Sequence, residues 1–192
     1  MSAILNWETL DAACHACQAC PLHETRTNVV FGVGSHQAEI LFIGEGPGER
    51  EDLTGEPFVG PAGKLLDEYL NAVGISREEV YIANILKCRP PHNRDPKPEE
   101  EEACLPWLRR QTALLRPKII VCLGRIAAKR IIDPDFRITR EHGLWYEKGA
   151  YRMIATYHPS ALLRDPSKRE EAYEDFILIA EAYAALHGKE RA

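Results

Sequence analysis

At 192 residues the chain is long enough to bury one good core without disulfide support, and a single domain over residues 1–192 is expected. Its composition, 45% apolar and 28% charged with a net charge of −5, is that of an ordinary soluble globular protein. No stretch approaches the roughly 18 apolar residues of a membrane span. The N-terminal MSAILNWETLDAAC has two acids, no base and no long apolar run, so neither a signal nor a transit peptide is expected. That favours a reducing, cytoplasmic setting, where clustered cysteines are more often metal ligands or catalysts than disulfides.

In chain order, CHACQAC (14–20) comes first, with three of the six cysteines at three-residue spacing. EILFIG (Glu39–Gly44) is a short apolar run ended by glycine, expected as a buried strand. PAGKLLDEYLNAVG carries Leu65, Leu66, Tyr69, Leu70 and Val73 at helical spacing and stops at Gly74. VYIANIL (Val80–Leu86) is a second strand. KPEEEEACLPWLRRQTALLRP is a second helix, with Pro98 in its first turn and Glu99 to Glu102 at the positive end of its dipole.

KIIVCLG (Lys118–Gly124) makes a third strand, and RIAAKRII a short helix after it. GLWYEKGAYRMIATYHP predicts two strands turning at Lys148–Gly149. The last helix runs from about Ser167 to Leu186. Strands alternating with helices argue for an α/β fold with a mostly parallel sheet covered on both faces. Its ligand crevice lies outside the carboxyl ends of the strands, where GEGPGERED, NILKCRPP and TYHPSALLR fall.

Cys122 lies inside an apolar run and is expected to be a small buried side chain. Cys88 and Cys104 bracket a polar, proline-rich stretch. With Cys17 and Cys20 they would make four thiolates, which suit either a structural zinc or a [4Fe–4S] cluster. Cys14 is the spare. Gly44, Gly46 and Gly48 with Pro47 form a tight turn whose backbone can approach a ligand. Neither G-x-G-x-x-G nor the P-loop pattern is met, and Glu45, Glu49, Glu51 and Asp52 would repel phosphate.

GEGPGEREDLTGEPFVGPAGKLLD, YIANILKCRPPHNRDPKPEEEEAC and YHPSALLR, in that order, resemble the family 4 uracil-DNA glycosylases, the iron–sulfur members of their superfamily. The likeness spans roughly residues 14 to 180 and includes CQACPLHETRTNVVFG. It implies a three-layer α/β/α sandwich with a short, mostly parallel central sheet, and excision of uracil from DNA in base-excision repair. It selects Cys17, Cys20, Cys88 and Cys104 as ligands of a [4Fe–4S] cluster that ties the N-terminal segment, about 1–30, to the rest. Cys14 is extra to the pattern.

The resemblance also implies the site. His158 would donate to uracil O2 as negative charge develops there. Asn84 would read the base edge, and Phe58 would stack on the flipped base. Gly44, Glu45, Gly46 and Glu51 complete the uracil contacts. Relatives with a GQDPYH turn keep an aspartate at the position of Gly46 and a tyrosine at that of Gly48. Glu45 is therefore the nearest residue to position the water, with Glu51 and Asp52 next, and Glu51 is the choice to exclude thymine's methyl.

A net charge of −5 sits badly with phosphate contacts. Basic loops answer this locally: Lys87, Arg89, Arg94 and Lys97 in one, Arg164, Lys168 and Arg169 in the other. Lys87, Arg89, Arg94, Ser160, Leu163 and Arg164 are the expected DNA contacts, and Leu162 and Leu163 would wedge into the stack. Uracil-containing DNA is the expected partner, no membrane is involved, and a monomer is expected. The alternative is a uracil-DNA trapping protein with little turnover, for which His92 is present but an extra basic insertion is not. A redox protein without a nucleic-acid role would not require NILKCRPP or HPSALLR.

Overall fold

The structure, a computed structural model, describes residues 6–188; residues 1–5 and 189–192, the ends of the expected domain, lie outside the described residues. Among the described residues one sheet contains β1 (Val33–Gly34), β2 (Ile40–Gly44), β3 (Tyr81–Asn84), β4 (Ile119–Leu123), β5 (Tyr146–Lys148) and β6 (Tyr151–Thr156). Its order is β1-β3-β2-β4-β6-β5. The four inner strands are parallel, and the two edge strands run antiparallel to their neighbours.

Alternate residues of each strand face opposite sides of the sheet, and both sides are covered. Ile40 and Phe42 of β2 share a core with α3 (Pro61–Ala72) and α8 (Arg169–Leu186), where Phe42 stacks on Phe176 at 6.1 Å. Leu41 and Ile43 face the other way, onto Leu105 and Leu108 of α4 (Pro98–Leu115) and Ala127 of α5 (Arg125–Ile131). The sandwich therefore has three layers.

Shorter helices complete the chain: α1 (Trp7–His15), α2 (Glu49–Thr54), α6 (Ile138–Glu141) and α7 (Pro159–Arg164). Asn6 caps α1, its Oδ1 accepting from Thr9 N–H at 2.8 Å. The last helix starts at Arg169 rather than Ser167. Asp165 diverts the chain first, its Oδ1 accepting from the Ser167 N–H and hydroxyl at 3.2 and 2.6 Å. The N-terminal segment is stitched down by buried Asp52, which accepts from Thr27 and Asn28 N–H at 2.9 and 3.3 Å. Further along, Val30 N–H donates to Lys87 O at 2.8 Å.

Candidate active site

The chain leaves β2 for β3 on one side and then crosses β2 to β4 on the other, so the crevice rule places a ligand at the carboxyl end of β2. A pocket of about 490 Å³ opens there. That lies within the span of small-molecule sites, about 300–1,000 Å³. Its walls are the turn after β2, Phe58, the end of β3, the loop 93–95, the start of α5, and Tyr157 to Arg164.

Asn84 ends β3 opposite Gly44 and is 2% exposed. Its Oδ1 is buried with no hydrogen-bond partner. Such an orphan acceptor costs about 1–3 kcal/mol, which a donor on a ligand would recover. A Cβ at Gly44 would collide with that Oδ1 and lie 2.8 Å from the Phe58 ring. Gly44→Ala is therefore expected to fold, with an unchanged far-ultraviolet spectrum, yet to displace both side chains, which a crystal structure of the variant would show.

Phe58 is buried and holds φ +55°, a conformation that side chains rarely adopt. Glu51 keeps it there: Oε1 accepts from Val59 and Gly60 N–H at 3.0 and 2.9 Å. The Phe58 and His158 rings face each other at 5.6 Å and 31°.

His158 caps α7, its Nδ1 accepting from Ser160 N–H at 3.1 Å. A main-chain N–H can only donate, so the proton of the neutral ring sits on Nε2. Part of the ring's surface is open to the pocket, yet the atoms packed around it are dense. That burial first, and the Arg164 guanidinium second, pull the imidazole down to about 4. The ring is a neutral donor at physiological pH. Gly124, with φ +89°, makes room for it: a Cβ there would lie 2.7 Å from His158 Cβ.

Glu45 follows β2 and its carbonyl accepts from Leu86 N–H at 3.0 Å. Burial, then the charge of Asp95, push its carboxyl up to about 7 against the pull of Arg125. Asp95 and Arg125 form an ion pair across the pocket wall at 2.9 Å. Sequence reasoning missed both, and Gly124. The signal was available in CLGR, since β4 also ends at the crevice and the rule that picked the other three loops applies to it equally.

Glu45, Gly46, Glu51, Phe58, Asn84, Arg94, His158, Ser160 and Arg164 all border the pocket. Gly44 lies beneath it. Arg89 stands aside, its Nε donating to Asn93 Oδ1 at 2.7 Å. Three expectations need correction. Lys87 is 1% exposed, with Nζ donating to Asn84 O at 2.8 Å and Gln111 Oε1 at 2.7 Å, so it cannot meet a phosphate. Leu162 is 1% exposed and packs inward, leaving Leu163, 39% exposed, as the one able to wedge. Asp52 turns its carboxylate to the N-terminal segment and away from water activation. His92 does not line the pocket.

Cys17, Cys20, Cys88 and Cys104 line one small pocket together, with Cys14, Arg26 and Lys87. Arg26 donates to Cys88 Sγ at 3.3 Å and to Cys17 O at 2.8 Å. The Lys87 N–H donates to Cys104 Sγ at 3.2 Å. Burial pushes the Cys14 and Cys104 thiols up to about 12. Among the described residues no group of three or more histidine, cysteine, aspartate or glutamate side chains closes on a single-ion position. Cys122 sits apart in β4, fully buried.

The family model of the uracil DNA glycosylase superfamily matches residues 31–180. A type-4 uracil-DNA glycosylase of Archaeoglobus fulgidus is 53% identical over 174 residues, covering 86% of this chain and 87% of that one. One from Thermotoga maritima is 51% identical, covering 79% and 80%, and one from Saccharolobus solfataricus 45%, covering 88% and 82%. With the fold, the crevice and this extent of likeness in agreement, the chain belongs to the uracil-DNA glycosylase superfamily.

Proposed function

We propose that the crevice receives uracil flipped out of DNA and hydrolyses its N-glycosidic bond, leaving an abasic site for base-excision repair. The observation that carries this reading is the orphaned Oδ1 of Asn84, a residue that lines the same pocket as a neutral histidine. Oδ1 accepts from uracil N3–H while Nδ2 donates to O4. Cytosine presents the opposite pattern, an acceptor at N3 and a donor at N4, so it meets like against like. Phe58 stacks on the base. Glu51, pinned beside Gly48, crowds the position a thymine methyl would take.

In the reaction the C1′–N1 bond breaks with both electrons going to uracil. His158 Nε2–H donates to O2 as that charge grows. Glu45 orients the water whose oxygen bonds to C1′, takes up its proton, and in its ionised form faces the cationic sugar. Arg94, Ser160 and Arg164 border the DNA side, and Arg89 and Leu163 extend it. This is work for a monomer in the compartment that holds the DNA, and no helix among the described residues is long and apolar enough to cross a membrane.

The donor set of the thiol pocket fits a [4Fe–4S] cluster held by Cys17, Cys20, Cys88 and Cys104. All four thiols border one pocket, and two have donors aimed at their sulfurs. Bound there, the cluster would cross-link the N-terminal segment to the loop after β3 and to α4.

The acid limb of activity follows from Glu45. Its carboxyl, raised to about 7, is protonated below that pH, so kcat/KM of the free enzyme falls about tenfold per pH unit there. Asp95→Asn removes a negative neighbour and moves the limb to lower pH; Arg125→Gln moves it up. Glu45→Gln flattens it. His158, neutral above about 4, adds a limb only at lower pH.

The base-reading role is tested by Asn84→Asp. This variant is expected to lose uracil excision and to gain weak action on cytosine, because a carboxyl group suits that edge better. Unchanged uracil excision would make Asn84 structural.

A further inference from the structure

A fully buried lysine is rare unless its donors are used. Lys87 lies three residues after Asn84 and one before Cys88. Its Nζ donates to the Asn84 carbonyl at 2.8 Å and to Gln111 Oε1 at 2.7 Å. Its main-chain N–H donates to Cys104 Sγ at 3.2 Å, and its carbonyl accepts from Val30 N–H at 2.8 Å. Gln111 in turn donates through Nε2 to Phe31 O at 2.9 Å. One residue thus joins the end of β3 and Gln111 through its side chain, and the thiol pocket and the segment that follows Cys20 through its main chain.

The strand register of β3 on β2 ends at Asn84 and Gly44, and main-chain bonds from Ile85 N–H to Gly44 O and from Leu86 N–H to Glu45 O, both 3.0 Å, continue it. The Asn84–Ile85 peptide is thus held from both sides, its N–H by Gly44 O and its carbonyl by the ammonium of Lys87. The Asn84 Oδ1 has no partner, so the set of its peptide plane governs where that amide points. Lys87 is the side-chain half of that hold, so losing its ammonium frees the carbonyl edge of the plane that carries the amide. Lys87 itself is anchored at Cys104 and is bonded along the chain to Cys88, two residues of the thiol site.

We propose that Lys87 is a positioning residue for Asn84, and that through it occupancy of the thiol site and uracil binding favour one another. The proposal rests on the reading of Asn84 as the base reader and of the four cysteines as ligands. Linkage makes it reciprocal: if a filled thiol site helps the protein bind uracil, bound uracil must help the protein keep its iron. Lys87→Met is one atom shorter, fills most of the same space and removes the donors, leaving the Asn84 carbonyl and Gln111 Oε1 buried without them.

The test uses iron-loaded protein and free uracil. Parent, Lys87→Met and Asn84→Ala are compared for iron content, for uracil affinity by calorimetry, and for iron retained under an iron-chelator challenge. The challenge is run with and without uracil, at concentrations scaled to each protein's own affinity. Lys87→Met is expected to keep its iron, bind uracil about tenfold more weakly, and lose the protection that uracil gives the parent. Parent-like uracil affinity in Lys87→Met overturns the positioning role. Undiminished protection overturns the coupling. Parent-like affinity in Asn84→Ala would instead show that the base-reading assignment had failed. If Lys87→Met yields no folded protein, Gln111→Leu decides in its place. Weaker uracil binding with iron retained supports the proposal, and parent-like binding overturns it.

Discussion

Replacing His158 by alanine is expected to lower the single-turnover rate on uracil-containing duplex by about two to three powers of ten, about 2.7–4 kcal/mol, with DNA affinity nearly unchanged. Under the proposed leaving-group role this is a transition-state effect. Ser160 N–H occupies Nδ1, so the only proton the neutral ring can offer is on Nε2. Burial and Arg164 keep the ring from carrying a second proton, so it meets the ground-state carbonyl as an ordinary neutral donor. Its hydrogen bond strengthens as charge develops on O2. Glu45→Ala and Glu45→Gln should be about equally poor, because the proposed role of Glu45 needs the ionised carboxylate. A His158→Ala variant that cuts at the parent rate would falsify the leaving-group role.

The second large effect is expected at the thiol pocket. Cys88→Ser should lose its iron and lower the thermal midpoint by about 10 °C, since a removed ligand leaves buried charges unpaired and metal affinity is folding free energy. Cys88 and Cys104 are each 7% exposed, and Arg26 and the Lys87 N–H point at their sulfurs. Cys122→Ser lies within β4 and should keep the iron. Cys14→Ser should also keep it while losing stability, because Cys14 is 1% exposed and packs with Leu10, Val29 and Phe31 as well as bordering the pocket. Iron analysis and a thermal melt on protein from its own cells check this; stoichiometric zinc without iron would sink the cluster.

Much of the fold is legible in the chain because its signals are local. EILFIG and KIIVCLG are apolar runs ended by glycine, and KGAY places its turn at Gly149, which adopts φ +62°. The crevice loops follow from strand direction alone, and the resemblance names Asn84, Phe58 and His158. What is not legible depends on distant partners. Lys87 has the charge of a phosphate ligand, but Gln111, 24 residues away, and the Asn84 carbonyl hold it inside. Arg125 meets Asp95 across 30 residues, and no local pattern announces the pair. Leu162 and Leu163 are alike as letters, but the turn of α7 separates them by about 100°, inward and outward. The raised carboxyl of Glu45 is likewise a product of the assembled walls.

The most direct measurement incubates the purified protein with three oligonucleotide duplexes that carry uracil, cytosine or thymine at one position, followed by alkali and a denaturing gel. Strand cleavage at the uracil position alone, lost in His158→Ala and Asn84→Asp, is the predicted result. An intact uracil strand after alkali, with the protein folded and its iron in place, would contradict the account.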